Sequence, residues 1–348
     1  MNIFDRIQIQ TTYPTPSSWL SIQTIDMHTC GEPLRVILSG FPQTIGNTIL
    51  ERRKYVKDNF DNLRTSLMFE PRGHADMYGC LLTPPNSDSD FGIIFLHNEG
   101  YSTMCGHATI AITKLAVEMG WVEKKEPETK IKIDAPCGTL TAFAQLDNGQ
   151  VKSVSFDNVP SFVVDLDQKV DVEELGSIRY DLAYGGAFYA FVDADDLGIS
   201  LDPSNTQQLI KVGMNIKRAV ATTRNVTHPF EHDLSFLYGT IFTGKPHGSA
   251  DSRNVCIFAE GELDRSPTGS GVSARMAIHY ARGELKIGQS MVIESILDTT
   301  FVGSVKEALS YGGMDAVIPN VSGTAHITGQ HQFLIDPNDP QKNGFILR

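Results

Sequence analysis

The sequence contains one pattern twice, and this duplication is the strongest constraint on how the chain folds. Residues 101–111 (YSTMCGHATIA) align with residues 264–274 (DRSPTGSGVSA), which places Cys105 opposite Thr268, 163 positions apart. In both copies a glycine lies fifteen positions after this residue, Cys105 in the first copy and Thr268 in the second. Each copy therefore predicts a polar turn, an apolar helix and a glycine that ends the helix in the left-handed conformation. The matched lengths favour two similar halves over a chance likeness between two turns.

The rest of the chain alternates short apolar segments with longer helical ones, which predicts an α/β or α+β fold. A length of 348 residues is enough for roughly two domains of about 150 residues each. We expect the boundary near residue 180, close to the acidic segment 165–174, so that the halves are residues 1–180 and 181–329. The predicted strands are Leu34–Leu38, Gly92–Phe95, Lys130–Ile133, Val151–Phe156, Ala187–Val192, Ser235–Phe242, Val255–Phe258 and Met291–Ile293, and the predicted helices are Asn47–Asn59, Ala108–Met119, Pro203–Val220 and Val272–Arg282.

Charge and cysteine content argue against several classes of protein. Asp and Glu number 41 against 29 Lys and Arg, a net charge of −12, whereas a nucleic-acid surface needs clustered basic residues. We find no apolar run of signal-peptide or membrane-span length, so we expect a cytoplasmic protein without a membrane partner. Five cysteines without CxxC spacing argue against a disulfide framework and a structural zinc site. His228 and His232 have the spacing of a helical zinc pair, but Pro229 between them favours a surface loop.

The first copy of the repeat contains the candidate catalytic base. Cys105 precedes Gly106, His107 and a segment that is apolar nearly all round, which predicts a thiol at the N-terminus of a buried helix. Unpaired N–H groups and the helix dipole favour negative charge there, so we expect the pKa of Cys105 to be lowered. Gly106 lets the backbone approach a ligand closely, and His107 can donate or accept a hydrogen bond.

The second copy predicts an anion site at another helix start. Residues 264–271 (DRSPTGSG) combine glycines with hydroxyl-bearing residues before an apolar helix. Neither the phosphate-loop pattern nor G-x-G-x-x-G is present, so a small carboxylate is the expected ligand. Two helix starts facing each other across a cleft would hold one carboxylate between them. Cys105 and Thr268 would then lie on either side of the carbon that bears it.

Together these motifs resemble the proline racemase family, which has the diaminopimelate-epimerase-like fold. The resemblance extends from about residue 22 to past residue 330 and implies two similar α/β halves with the active site in the cleft between them. It also implies that residues 330–348 pack on the first half. His107 and Asp264 would face a ring nitrogen of the substrate, and Gly106, Gly269 and Ser270 its carboxylate. The segments that carry the resemblance are 26–35 (DMHTCGEPLR), 70–79 (EPRGHADMYG), 97–103 (HNEGYST), 104–107 (MCGH) and 264–271 (DRSPTGSG).

One departure from the family pattern changes the implied reaction. Racemases of this family carry a cysteine at each helix start, and here the second position is Thr268. A threonine hydroxyl does not ionise near neutral pH, so it cannot exchange a proton with a carbanion as a thiol does. The resemblance then implies a cofactor-independent and metal-independent dehydratase of trans-3-hydroxy-L-proline, in which Cys105 removes the α-proton and the C3 hydroxyl leaves as water. Thr268 would bind the substrate or a water molecule, or fill space.

Two other functions remain open at this stage. One is a racemase or epimerase of proline or 4-hydroxyproline, and the other is a carboxylate-binding protein without catalytic activity. The expected partner is a small-molecule substrate rather than nucleic acid, with a homodimer as one assembly to test.

Several further residues lie in or near these motifs. His28 and His74 are candidates for substrate contact, and Phe188 is a candidate for the cavity wall. Cys30 and Cys137 each precede a glycine, but neither stands before a long apolar helix, so we expect both to be buried packing residues.

Overall fold

A computed structural model describes residues 2–86 and 88–347. None of the helices in this part of the chain is both long and apolar enough to cross a membrane. The helices are α1 (Ile3–Ile9), α2 (Ile49–Met68), α3 (Gly106–Glu118), α4 (Ala194–Leu197), α5 (Thr206–Thr223) and α6 (Gly269–Ala281). The strands are β1 (Leu20–Thr29), β2 (Glu32–Ser39), β3 (Tyr78–Thr83), β4 (Phe91–His97), β5 (Glu128–Ala135), β6 (Gly138–Asp147), β7 (Gln150–Asp157), β8 (Ser161–Val172), β9 (Gly176–Tyr184), β10 (Phe188–Asp193), β11 (Leu237–Gly244), β12 (Ser252–Phe258), β13 (Glu262–Leu263), β14 (Ser290–Glu294), β15 (Thr300–Tyr311), β16 (Met314–Gly323) and β17 (Ala325–Ile335).

Strand pairing repeats from one half of the chain to the other. In the first half β2 is parallel to β3, β3 is antiparallel to β4, and β4 is parallel to β5. The second half has the same sequence of pairings through β10, β11, β12 and β14. The connecting helices α2 and α3 have their counterparts in α5 and α6. The predicted fold class, two similar α/β halves, is confirmed.

Helices α3 and α6 occupy the core of their respective halves. Each has 13 residues, and their first residues, Gly106 and Gly269, keep the 163-residue offset of the repeat. Helix α3 packs against β1, β6 and β7, whereas α6 packs against β8, β9, β15 and β16. Both helices are buried along most of their length, because each is enclosed by the strands of its own half.

The last part of the chain returns to the first half. Strand β17 pairs with β1 along its length, Phe345 bridges to Glu70, and the Arg72 guanidinium donates to the Lys342 carbonyl. Residue 180 lies inside β9, which pairs with both β8 and β10. The acidic segment 165–174 therefore belongs to a strand and its turn rather than to a linker. We propose that the halves divide instead at residues 158–160 and at residue 324.

The sequence located the buried elements better than the partly exposed ones. All eight predicted strands overlap strands of the structure, and α3, α5 and α6 lie where helices were expected. The predicted helix ending at Asn59 continues to Met68, and Phe60, with φ −135° and ψ 21°, interrupts its helical geometry. Nine strands were missed. They include β6, where exposed or half-buried positions alternate with buried ones, so its apolar content alone does not distinguish it from a loop.

The N-termini of α3 and α6 touch through their glycines. A Cβ atom added to Gly106 would lie 2.6 Å from the Gly269 Cα atom, and one added to Gly269 would lie 2.7 Å from the Gly106 Cα atom. No other residue type fits at either position without moving one backbone away from the other.

We predict that Gly106→Ala and Gly269→Ala each destabilise the protein. Alanine normally stabilises a helix interior relative to glycine by up to about 1 kcal/mol, but here the added methyl group overpacks the contact, which costs about 1–3 kcal/mol. Urea unfolding measures the change, with Gln207→Ala on the exposed face of α5 as the control. Unchanged free energies of unfolding in both glycine variants would contradict this account of the helix contact.

Candidate active site

The two helix starts open into one cavity, which we call the central cavity. Cys105 is the N-cap of α3 and Thr268 is the N-cap of α6, and both residues are buried. The structure thus brings together the catalytic and substrate-binding residues predicted at the two helix starts, and their roles remain predictions. The predicted residues that line the cavity are Cys105, Gly106, His107, Asp264, Thr268, Gly269 and Ser270.

The central cavity is small and largely aromatic. Its volume is about 20 Å³, room for about one water molecule, so a larger ligand requires the halves to separate or side chains to move. Sequence reasoning missed nearly half of its lining. Tyr78 and Met104 lie in quoted motifs, but the other missed residues had no signal beyond being apolar strand positions. The missed residues are Tyr78, Met104, Tyr189, Tyr238, Cys256 and Phe258.

Burial dominates the ionisation of the candidate base. Desolvation raises the pKa of Cys105 well above the usual thiol range, while the Ala108 N–H and the Tyr78 hydroxyl lower it. The carboxylates of Asp264 and Glu32 raise the pKa of this thiol further. The predicted lowering was therefore wrong in its net direction. The N–H groups at the helix start contribute as expected, but removal of the thiolate from water outweighs them.

His107 is a neutral imidazole beside the thiol. Burial lowers its pKa to about 4, against a smaller raising effect from Asp264 and from the Pro33 carbonyl. The His107 Nε2 atom lies 3.2 Å from the Pro33 carbonyl oxygen, and Nδ1 lies 3.2 Å from Cys105 Sγ. Because a carbonyl oxygen only accepts, Nε2 carries the proton and Nδ1 is the acceptor. His107 therefore presents a single acceptor atom to the thiol and the cavity.

Asp264 organises the turn that precedes α6. Its Oδ1 atom accepts the Ser266 N–H at 2.7 Å, and its Oδ2 atom accepts the Thr268 hydroxyl at 2.8 Å. The Thr268 N–H is in turn donated to Ser266 Oγ at 3.1 Å. These bonds hold Thr268 at φ 65°, in the left-handed region that β-branched residues rarely adopt. The Thr268 hydroxyl proton is thus directed at Asp264, leaving only oxygen lone pairs for a ligand.

Two carboxylates of the first half bind the same turn. Glu32 Oε2 accepts the Arg265 N–H at 2.7 Å, and Asp76 Oδ2 forms an ion pair with the Arg265 guanidinium at 3.1 Å. Asp76 Oδ1 also accepts the Leu263 N–H at 3.3 Å. Glu32 is fully buried, and burial raises its pKa well above the usual range. Both acids lie in motifs quoted above, yet nothing in their spacing identified them as contacts between the halves.

The remaining polar groups of the cavity suit an anionic ligand. The first N–H groups of a helix have no partner within the helix, and the first residues of α3 and α6, Gly106 and Gly269, both line the cavity. Ser270 Oγ lies 2.7 Å from the Tyr189 hydroxyl oxygen, which fixes this side chain at the start of α6. A carboxylate at this point could accept hydrogen bonds from both halves at once.

The other residues considered from the sequence lie elsewhere. His28 and His74 are outside the central cavity: His28 Nδ1 accepts the Gly31 N–H at 3.2 Å, and His74 is partly exposed. Cys30 and Cys137 are buried free thiols, as expected. Phe188 is buried in the core against Tyr184 and does not line the cavity.

His228 belongs to a loop rather than to a helix, but its side chain is buried, whereas we expected it at the surface. Its Nδ1 atom accepts the Glu231 N–H at 3.0 Å. In residues 2–86 and 88–347, no group of three or more His, Cys, Asp or Glu side chains has the arrangement of a metal site.

Comparison with known proteins agrees with the geometry. The family model described as proline racemase matches residues 24–346. A trans-3-hydroxy-L-proline dehydratase of Colwellia psychrerythraea is 52% identical over 333 residues, which cover 95% of this chain and 94% of that protein. A 3-hydroxyproline 2-epimerase of Burkholderia multivorans is 46% identical over 330 residues, covering 94% and 98%.

Solved structures give the same result. The crystal structure of a hydroxyproline epimerase from Agrobacterium vitis with bound trans-4-hydroxy-L-proline is 33% identical, with a TM-score of 0.89 and coverage of 94% of this chain and 96% of that one. A probable proline racemase from Agrobacterium radiobacter with bound carbonate matches equally well, at a TM-score of 0.89 and 33% identity. With a family match over nearly its whole length and relatives of this similarity, the chain belongs to the proline racemase family.

Proposed function

We propose that this protein is a cofactor-independent hydro-lyase that converts trans-3-hydroxy-L-proline into Δ1-pyrroline-2-carboxylate and water. The observation that carries the proposal is the unequal pair in the central cavity, where one helix start presents the Cys105 thiol and the other presents the Thr268 hydroxyl. Relatives named for this activity, 45% to 52% identical over more than 90% of this chain, support it.

In this proposal the ring ammonium and the carboxylate of the substrate bind different groups. The Asp264 carboxylate and His107 Nδ1 both line the cavity and can accept the two N–H bonds of a secondary ammonium. The N–H groups of Gly106, Gly269 and Ser270, at the starts of the two helices, can donate to the carboxylate. The same donors stabilise the negative charge that develops on the carboxylate when the α-proton leaves.

The proposed reaction begins from the thiolate form of Cys105, which takes a proton from the α-carbon. The Cα–H bond breaks, an S–H bond forms, and the electron pair remains on the α-carbon and its carboxylate. The pair then forms the C2–C3 double bond as the C3–O bond breaks. The departing oxygen takes a proton and leaves as water, and the resulting enamine tautomerises to the Δ1-pyrroline.

The configuration of the substrate explains why one thiol is sufficient. In the trans isomer the hydroxyl lies on the ring face opposite the carboxylate, and the α-hydrogen lies on that same face. The thiol that removes the α-proton can therefore return it to the leaving hydroxyl without any group on the other face. Thr268, whose hydroxyl proton is donated to Asp264, is not required to transfer a proton.

A specific observation favours a second candidate, an epimerase or racemase. A relative of 46% identity is named 3-hydroxyproline 2-epimerase. In that case water or Thr268 would deliver a proton to the second face of the α-carbon.

Our first prediction here is that only one of four imino acids is dehydrated. L-Proline and the trans-4, trans-3 and cis-3 isomers of hydroxy-L-proline are incubated in D2O and followed by NMR, with o-aminobenzaldehyde to detect the pyrroline. We expect pyrroline from the trans-3 isomer alone, because in the cis isomer the hydroxyl lies on the face of Thr268.

Cys105→Ser should abolish turnover, since serine does not ionise near neutral pH.

The other outcomes of this experiment identify the alternatives. Deuterium at the α-carbon of recovered proline or 4-hydroxyproline, in both configurations, would indicate a racemase or epimerase. If Cys105→Ser binds an imino acid, and neither this variant nor the wild type converts any of the four, the protein is a carboxylate-binding protein without catalytic activity. A Cys105→Ser variant that keeps most of the activity would contradict Cys105 as the base.

We predict that the Cys105 thiol of the free protein titrates above the usual thiol value of 9.0. Because burial raises its pKa, the protonated form persists at neutral pH and the thiolate appears only as the pH rises beyond that value. The ultraviolet absorbance of the thiolate reports this, taken as the difference between the wild type and Cys105→Ser. A difference signal complete by pH 8 would contradict the dominance of burial.

We predict that Thr268→Cys adds exchange at the second face. A thiol there can deliver a proton to the α-carbon from the side opposite Cys105, so L-proline or trans-4-hydroxy-L-proline should gain α-deuterium in D2O with inversion. Thr268→Ser is the matched control, because it keeps the hydroxyl next to Asp264 without adding a thiol. A folded Thr268→Cys variant that binds these imino acids but exchanges neither would leave the opposed geometry unsupported.

A further inference from the structure

A second and larger cavity lies between the two halves, against one wall of the central cavity. We call it the access cavity. Its volume is about 390 Å³, and it is lined by α2 and the segment 97–101 from the first half, and by α5, the start of β11 and the residues after β12 from the second. Tyr238 lines both cavities. Its ring centroid lies 5.4 Å from that of Phe258 on the inner side and 6.1 Å from that of His97 on the outer side.

Each half contributes to the access cavity one half-buried cation that forms no ion pair within the described part of the chain. Among the described residues, neither Arg53 on α2 nor Lys217 on α5 forms an ion pair. Arg53 Nη2 donates to the Tyr101 carbonyl at 2.8 Å, whereas its Nε atom is buried without a hydrogen-bond partner. Lys217 Nζ donates to the Ala259 carbonyl. Burial lowers the pKa of both side chains, against smaller raising effects of Asp233 on Arg53 and of Glu260 on Lys217. The net lowering is expected for cations that are poorly hydrated and would gain from an anion.

The carboxylates that line the access cavity form no ion pair with these two cations. Asp61 is held by Arg64 at 2.7 Å and by the Tyr101 hydroxyl at 2.9 Å. Glu99 and Glu260 are exposed, and Glu260 lies 3.7 Å from Arg218 outside the cavity. Among the residues that line the cavity, the interior thus offers positive charge, and the carboxylates outside the Asp61–Arg64 pair lie at the rim. Behind the wall, the buried Glu262 carboxylate lies 3.4 Å from His97 Nδ1. This arrangement suits a small zwitterion, whose carboxylate would face inward and whose ammonium would face the rim.

We propose that the access cavity is the encounter site through which a zwitterionic imino acid reaches the central cavity, with Arg53 and Lys217 binding its carboxylate. The identity of the ligand rests on the proposed function. The central cavity holds about one water molecule, and Tyr238 separates it from the access cavity, so an arriving ligand must first bind outside. Because one cation comes from each half, a carboxylate bound there contacts both sides of the cleft before the halves separate.

The proposal makes a kinetic prediction that differs from that for a residue of the final site. In the Cys105→Ser background, NMR line broadening of trans-3-hydroxy-L-proline gives its association rate, dissociation rate and Kd. Arg53→Gln and Lys217→Gln should each slow both rates by about three- to tenfold at low ionic strength, with Kd unchanged within twofold. A side chain that contacts the ligand only during entry changes the height of the barrier between the free and bound states. It does not change the free energies of these two states, so Kd stays the same.

Matched controls separate charge from packing. Lys54→Gln and Lys211→Gln remove a charge from the same two helices, at side chains 73% and 67% exposed, and should leave both rates unchanged. Arg53→Lys keeps the charge and should behave nearly as the parent. If the Gln variants leave both rates unchanged, or weaken Kd through faster dissociation alone, the encounter site is wrong while the proposed function stands. If no variant binds the imino acid, the ligand is wrong and the proposed function fails with it.

Discussion

The contact between Gly106 and Gly269 is the constraint on which the rest of the site depends. Neither glycine could carry a Cβ atom without a clash with the backbone of the other. The backbones of α3 and α6 therefore meet at their first residues. Two sets of unpaired N–H groups then converge on one point, and the residues just before them, Cys105 and Thr268, open into the same cavity. The small volume of that cavity follows from the same contact.

The groups that align the two halves also control the thiol. Glu32 holds the backbone of Arg265, and Asp264 holds the turn around Thr268. The same two carboxylates add to the effect of burial in raising the pKa of Cys105. A site assembled in this way keeps its thiol protonated until positive charge arrives beside it. In the proposed function, a secondary ammonium bound at Asp264 would supply that charge and would couple ionisation of the base to binding of the substrate.

How much of this could be predicted depended on whether the signal was local. The starts of α3 and α6 follow from glycines and hydroxyl-bearing residues that precede apolar segments, so the sequence predicted that Cys105, Thr268 and their neighbours lie together. They line one cavity, and their roles stay predictions. Tyr189, Tyr238 and Phe258 reach the cavity from three different strands, and only the tertiary fold brings them there. The predicted direction of the pKa shift of the Cys105 thiol was wrong for the same reason, because the burial of a residue depends on the tertiary fold around it. The boundary near residue 180 was predicted from the acidic segment 165–174. Acidic composition is typical of linkers, but this segment belongs to β8 and the turn that follows it.

The geometry of Thr268 argues for chemistry confined to one face of the substrate. Its backbone lies at φ 65°, a conformation that costs on the order of 1–3 kcal/mol for a residue other than glycine. Hydrogen bonds to Asp264 and Ser266 maintain it, and they direct the hydroxyl proton away from the ligand. A second group able to donate a proton to the α-carbon would return the carbanion to an amino acid of inverted configuration before the C3 hydroxyl could leave. An elimination therefore benefits from a side chain that fills this position and stabilises the turn but transfers no proton.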